Sequence, residues 1–214
     1  PPPTDAADAA LDVSALSTAG AGKEPPSPLS AFFKPILDGI DSGDTTLHPG
    51  CSLALAHVIY NASSRAGPHA DRVSKRVTAA LDRAQFTGRP QLLIAVANLI
   101  EVCPGGVVDL LPTLLPRLLA SAGSTDWPTR KAAMESVETL CTRLDPEVLA
   151  AQREKIAEAV DKTKYDKMKP VREASALALA ALSKIPAGVS EPAPAAEEEE
   201  AEKEAEKEAE KEAE

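Results

Sequence analysis

Aromatic side chains are scarce, with one Trp, two Tyr and three Phe among 214 residues, while 43% of the chain is hydrophobic and most of that is Ala, Leu and Val. A core filled by such side chains is expected to be all helical and closely packed. Cysteine is sparse too: Cys51, Cys103 and Cys141 are odd in number and far apart, with no CxxC pair and no histidine at ligand spacing. That argues against a disulfide framework and a zinc site, and predicts buried reduced thiols in a reducing, cytoplasmic compartment. No run of about 18 apolar residues exists to span a membrane, and residues 1–22 lack the basic start and apolar centre of a signal peptide. A chain neither spanning nor secreted is expected. Its Pro-Pro-Pro start, without methionine, reads as a fragment or a processed form.

Catalytic signatures are also missing. His48, His57 and His69 have no carboxylate or thiol at ligand spacing. Gly20-Ala21-Gly22-Lys23 resembles the end of a phosphate-binding loop. However, Ser17 replaces the required glycine, Glu24 replaces the hydroxyl and no strand precedes it. GxSxG and HExxH are absent. Neither an enzyme nor a cofactor is expected.

The net charge of −10 is a property of one end. Residues 191–214 hold 12 Glu and 3 Lys, whereas residues 29–190 carry 19 basic and 17 acidic groups, a balance of +2 that disfavours nucleic acid as a partner. Residues 201–214 repeat Ala-Glu-Lys-Glu, with Glu204/Lys207 and Glu208/Lys211 at a spacing that modestly supports a helix. Without a broad apolar stripe a coiled coil is excluded, and residues 189–214 read as a charged spacer. The alternative is an autoinhibitory role, in which the tail competes with an acidic partner for basic groups of the body.

What the chain does have is spaced proline. Pro49, Pro90, Pro128 and Pro170 recur at intervals of 41, 38 and 42 residues. Four positions after each stand Leu53, Ile94, Ala132 and Ala174; five after, Ala54, Ala95, Ala133 and Ser175; nine after, Val58, Leu99, Val137 and Leu179. These offsets share one helical face, the mark of a helical repeat array. Proline is tolerated in the first turn of a helix and drives the preceding residue toward extended backbone. His48, Arg89, Trp127 and Lys169 are therefore expected on loops aligned along one edge. The predicted helices run about 29–40, 49–63, 69–83, 90–102, 107–122 (bent at Pro112 and Pro116), 128–143, 147–163 and 170–185. Residues 1–28 read as a linker and 29–188 as an α-solenoid of about four helix pairs of HEAT type, each stabilised by its neighbours. The N-terminal end has no polar cap, so further repeats or a partner are expected to cover it.

Function is sought on the loop edge. From Lys162 to Arg172 the chain carries five basic residues against one acid, with Tyr165 and Met168 interleaved, and Trp127, Arg130, Lys131 and Arg89 come from earlier repeats. Such a strip suits an acidic protein surface. Arg130 and Arg172, both two positions after a proline, read better as structural groups pairing with Asp126 or Asp166. Trp127 is evenly balanced between plugging a gap between repeats and binding. Lys164, Lys167 and Lys169 are the contact candidates.

Two blocks carry a family resemblance: Gly123-Ser124-Thr125-Asp126-Trp127-Pro128-Thr129-Arg130-Lys131-Ala132-Ala133 and Tyr165-Asp166-Lys167-Met168-Lys169-Pro170-Val171-Arg172-Glu173. At this spacing they resemble the last two repeats of the TOG-type domain in the plant Tortifolia/Spiral family of microtubule-associated proteins. Phe32-Phe33-Lys34-Pro35 and the 92–102 helix resemble earlier repeats. The resemblance spans about residues 29–185, the equivalent of the family domain's last four repeats. It implies a HEAT-repeat solenoid whose loops face tubulin or the microtubule lattice through His48, Arg89, Trp127, Lys167 and Lys169, at the cytoskeleton. The alternative is a scaffold within a larger cytoskeletal or axonemal assembly.

Overall fold

The computed structural model describes residues 28–186, within which there are helices and turns but no strand. The linker and spacer readings of residues 1–27 and 187–214 lie outside the described residues. In order the helices are α1 (Pro28–Asp41), α2 (Leu47–Ala62), a 3-10 segment (Ser63–His69), α3 (Ala70–Asp82), α4 (Arg89–Val102), α5 (Pro104–Val108), α6 (Leu111–Ser121), α7 (Trp127–Arg143), α8 (Pro146–Ala150), α9 (Arg153–Thr163) and α10 (Lys169–Leu182).

The four marker prolines sit in the first turns of α2, α4, α7 and α10, where the missing N–H costs nothing. These helices stack in chain order, α2 on α4, α4 on α7 and α7 on α10, while α1, α3, α6 and α9 form an outer layer behind them. This is an α-solenoid, as the proline period predicts. Cross-links tie successive inner helices and show α4 and α7 to be parallel: Asn98 Nδ2 donates to the Ala56 carbonyl (2.9 Å), Ser136 Oγ to the Leu93 carbonyl (3.0 Å), and further along both helices Arg143 pairs with Glu101. Close approach depends on small residues, and Ala95, Ala133 and Ser175, at the fifth position after their prolines, are buried. The core between the layers holds Leu93, Ile100, Leu118, Met134 and Leu140, each fully buried and worth about 1.5–3 kcal/mol.

The structure corrects several boundaries. The first hydrogen bond of α7 runs from Arg130 N–H to the Asp126 carbonyl, so Trp127 opens that helix instead of standing outside it; Arg89 and Lys169 likewise open α4 and α10. Trp127 owes its position to Asp126, whose carboxylate caps α7 by accepting from Thr129 N–H (3.2 Å). The bent helix expected over 107–122 is two helices parted by a turn at Asp109–Leu110, because Pro112 favours a first-turn position. The single helix expected over 147–163 is likewise broken at Ala151–Gln152.

Gly88 lies at the crossing of the α3–α4 turn with α2. A β-carbon there would stand 2.6 Å from the His48 carbonyl oxygen and 2.8 Å from Ser52 Oγ. Gly88→Ala is therefore predicted to destabilise the fold by about 1–3 kcal/mol, read as a lower urea midpoint at unchanged slope. Burial, with Glu138 nearby, pushes the Cys141 thiol up to about 12. Cys141 is predicted to resist alkylation in the native protein and to react on unfolding, checked by mass mapping of iodoacetamide adducts.

Candidate functional site

The loops before the inner helices meet along one edge. Thr87 Oγ1 donates to the Thr45 carbonyl (2.6 Å), joining the turns before α4 and α2. The tightest junction is Arg130. Its Nε and Nη2 donate to the two Asp166 carboxylate oxygens at 2.6 and 2.9 Å, and Nη1 donates to the Ser124 and Thr125 carbonyls at 2.9 and 3.0 Å. One guanidinium thus binds its own loop and clamps the next. Asp166 also accepts from Met168 N–H (2.8 Å), which fixes the turn into α10. The Arg130 hydrogen bonds hold the Asp166 carboxyl below the usual carboxylate range against the opposing effect of burial, with the Met168 N–H and the Arg130 and Arg172 charges adding to the shift. Of the two carboxylates named for the repeat arginines, Asp166 takes the side-chain contact with Arg130, while Asp126 caps α7.

Arg172 repeats half of this pattern. Its Nη1 donates to the Asp166 and Lys167 carbonyls (2.7 and 3.0 Å), and it touches no carboxylate among the described residues. Below the clamp Thr163, Ser175 and Met134 form a buried polar knot, with Ser175 Oγ 2.8 Å from Thr163 Oγ1 and Thr163 Oγ1 3.1 Å from Met134 Sδ. The loop from Lys164 to Met168 is thereby anchored on both sides.

On this base the predicted contact residues separate into two groups. Lys164, Lys167 and Lys169 stand together on the edge with Tyr165, which is 84% exposed. The Lys164 ammonium pairs with Asp161 (2.7 Å) and lies 5.3 Å from the Tyr165 ring centre; the hydrogen bond to Asp161 raises its affinity for the proton. Lys169 pairs with Glu173 at 3.3 Å, and Lys131 with Glu135. These are exposed pairs one helical turn apart, worth a few tenths of a kcal/mol, so a partner can replace them. Lys167 makes no ion pair among the described residues. Trp127 is 39% exposed, so Tyr165 is the more open aromatic.

The other two candidates are not free side chains. His48, expected on a loop facing a partner, lies in α2 and is 3% exposed: its Nε2 is 2.9 Å from the Ser42 carbonyl oxygen, and its ring stacks on Phe86 with centres 4.6 Å apart. The turn between α1 and α2 closes over it. Arg89 is half-buried and donates to the Leu81 and Arg83 carbonyls (2.9 and 2.7 Å), tying the end of α3 to the start of α4. The hydrogen-bond partners in both cases are backbone carbonyls, which leave no trace in the sequence. A separate cleft of about 570 Å³ on the outer layer is lined by Leu111, Pro112, Leu115, Pro116, Val148 and Lys155, among others.

The family model for TORTIFOLIA1 N-terminal domains matches residues 5–184, which takes in every element of the solenoid. The chain belongs to this family. Among curated relatives from Arabidopsis thaliana, the microtubule-associated protein TORTIFOLIA1 is 28% identical over 155 residues, 72% of this chain and 18% of the relative. TORTIFOLIA1-like protein 4 is 30% identical over 148 residues, 68% of this chain and 23% of the relative. The chain therefore spans about a fifth of the length of these two proteins. The Tortifolia resemblance borne by the 123–133 and 165–173 blocks is thus a family membership.

Loss of the clamp is predicted to loosen α10 from α7. Arg130→Ala, which leaves Asp166 buried and unpaired, should cost about 2–4 kcal/mol in urea unfolding, and Arg172→Ala should cost less. Because the folded pKa of Asp166 is depressed, its contribution is full above the unfolded carboxylate value near 3.8 and fades as pH falls through the lower folded value. The Arg130→Ala variant should accordingly show a flatter acid limb in stability measured against pH.

Proposed function

We propose that this domain is a non-enzymatic microtubule-binding module that docks its loop edge on the acidic surface of tubulin. The observation that carries this reading is the cluster of Lys164, Tyr165, Lys167 and Lys169 on one loop held rigid by the Arg130–Asp166 clamp. Three ammonium groups supply long-range attraction, and a preorganised loop presents them without a large ordering cost. Tyr165, with Trp127 and Lys131 one repeat away, offers the amphipathic contact that concentrates binding energy at interfaces. Membership of the TORTIFOLIA1 family, with a relative named as a microtubule-associated protein, supports the choice of partner. His48 and Arg89 act within the fold in this reading, and the setting is cytoskeletal.

A second reading, a repeat scaffold within a larger cytoskeletal or axonemal assembly, is favoured by the largely apolar cleft on the outer layer, whose lining includes none of Lys164, Lys167 and Lys169. Co-sedimentation with polymerised microtubules separates the two. The Lys164→Glu/Lys167→Glu/Lys169→Glu variant should keep its helical content and bind at least about tenfold more weakly, a change of about 1.4 kcal/mol, with wild-type binding falling as salt rises. Unchanged, salt-insensitive pelleting would overturn edge docking and leave the scaffold reading.

A further inference from the structure

The outward side of α10 is an unfinished repeat contact. The 42-residue shift that carries Pro128 to Pro170 carries Met134, Val137 and Cys141 of α7, all buried, onto Ala176, Leu179 and Ser183 of α10, all exposed. Leu179, at the centre of this stripe, is 46% exposed. The same shift carries Arg130 onto Arg172. Both arginines hold two carbonyls of their own loop through Nη1, but only Arg130 has a carboxylate from the next repeat to complete its guanidinium. The face thus has Leu179 and Ala176 along its middle and an incompletely paired arginine, Arg172, at its N-terminal end, next to Lys167 and Lys169.

We propose that the chain's own residues 187–214 cover this face. The segment runs antiparallel to α10, with residues 187–196 along Ser183, Leu179 and Ala176, and the glutamates from Glu197 onward against Arg172, Lys169 and Lys167. The order of chemistry along the segment matches the order along the helix. Residues 187–196 read Ala-Gly-Val-Ser-Glu-Pro-Ala-Pro-Ala-Ala, small and mostly apolar, and the run Glu197–Glu200 follows. Read back from its end, α10 is apolar first and basic last. The reach is sufficient: α10 rises about 15 Å from Leu182 back to Arg172, while the chain from Pro186 to Glu197 spans up to about 34 Å in a polyproline conformation. The tether makes the encounter intramolecular, so weak pairs suffice. The carboxylates complete Arg172 much as Asp166 completes Arg130, and they meet Lys167, which makes no ion pair within the described residues. One consequence, that the segment shields the edge from microtubules, rests on the docking reading above; the contact itself does not.

Zero-length carbodiimide coupling of the full chain at high dilution, mapped by mass spectrometry, tests the contact. Glu197–Glu200 should couple to Lys167 and Lys169 within one molecule. The coupling should be lost at about 1 M salt, where the Debye length falls to about 3 Å, and lost in Leu179→Glu, a change at an exposed position that leaves both lysines in place. Coupling spread equally over the distant, exposed Lys34 and Lys75, coupling only between two chains, or coupling retained in Leu179→Glu would each overturn the proposal. Microtubule pelleting of the variant Glu197→Gln/Glu198→Gln/Glu199→Gln/Glu200→Gln then separates the two readings. A several-fold gain supports shielding of the edge. Intramolecular coupling without any change in pelleting leaves the contact standing and counts against edge docking.

Discussion

Contact between successive inner helices is the constraint on which everything else in this domain depends. An inner helix such as α4 is apolar on more than one side, with Leu92, Leu93, Val96, Leu99 and Ile100 all buried, and one partner cannot cover them. Water is excluded only when a helix lies on each side and an outer helix lies behind. The small residues five positions after each proline set how near the backbones come. That spacing brings the preceding loops into contact, and only then can Arg130 reach Asp166.

The clamp links stability to the loop edge proposed for docking. It contributes to holding α10 against α7, and it also fixes the turn from Thr163 to Lys169, so the lysines there project from a firm base. A half-buried arginine that satisfies two carbonyls and a carboxylate stays in place because releasing any one of them would strand polar groups away from water. The surrounding lysines are held only by exposed carboxylates one turn away, which solvent screens. Rigid backbone beneath exchangeable charges is a suitable arrangement for an acidic partner surface.

Much of the solenoid was legible in the chain. The proline period located all four inner helices, but the offsets after each proline did not fix burial: Ala132 and Ala174 are buried four positions on, whereas Leu53 and Ile94 at the same offset are exposed. The expected pairing with a carboxylate holds for Arg130, which meets Asp166, but not for Arg172, which among the described residues holds only the carbonyls of its own loop. The reading of His48 went wrong for a physical reason. A residue before proline favours extended backbone, yet the turn from Ser42 to Thr46 folds over the start of α2 and supplies the Ser42 carbonyl, and Phe86 from the α3–α4 turn stacks on the imidazole from the other repeat. Arg89 was misjudged in the same way, since the carbonyls that receive its guanidinium have no signature in any side chain. The breaks at Asp109–Leu110 and Ala151–Gln152 were missed because periodicity alone cannot tell one bent helix from two.

By itself the sequence determined that the chain is helical, repetitive and parallel in its inner layer, because local propensity, proline placement and a period near 40 residues act over short separations. It also determined where positive charge gathers, since Lys162 to Arg172 is contiguous. Tertiary structure alone decided which of those groups are free. Whether a cation faces solvent or a carbonyl depends on which loop the stacking brings alongside, and that is set by helix packing distances across residues some forty positions apart. For the same reason only the stacked array distinguishes Met134, Val137 and Cys141, sealed between helices, from Ala176, Leu179 and Ser183, which face outward at the same offsets.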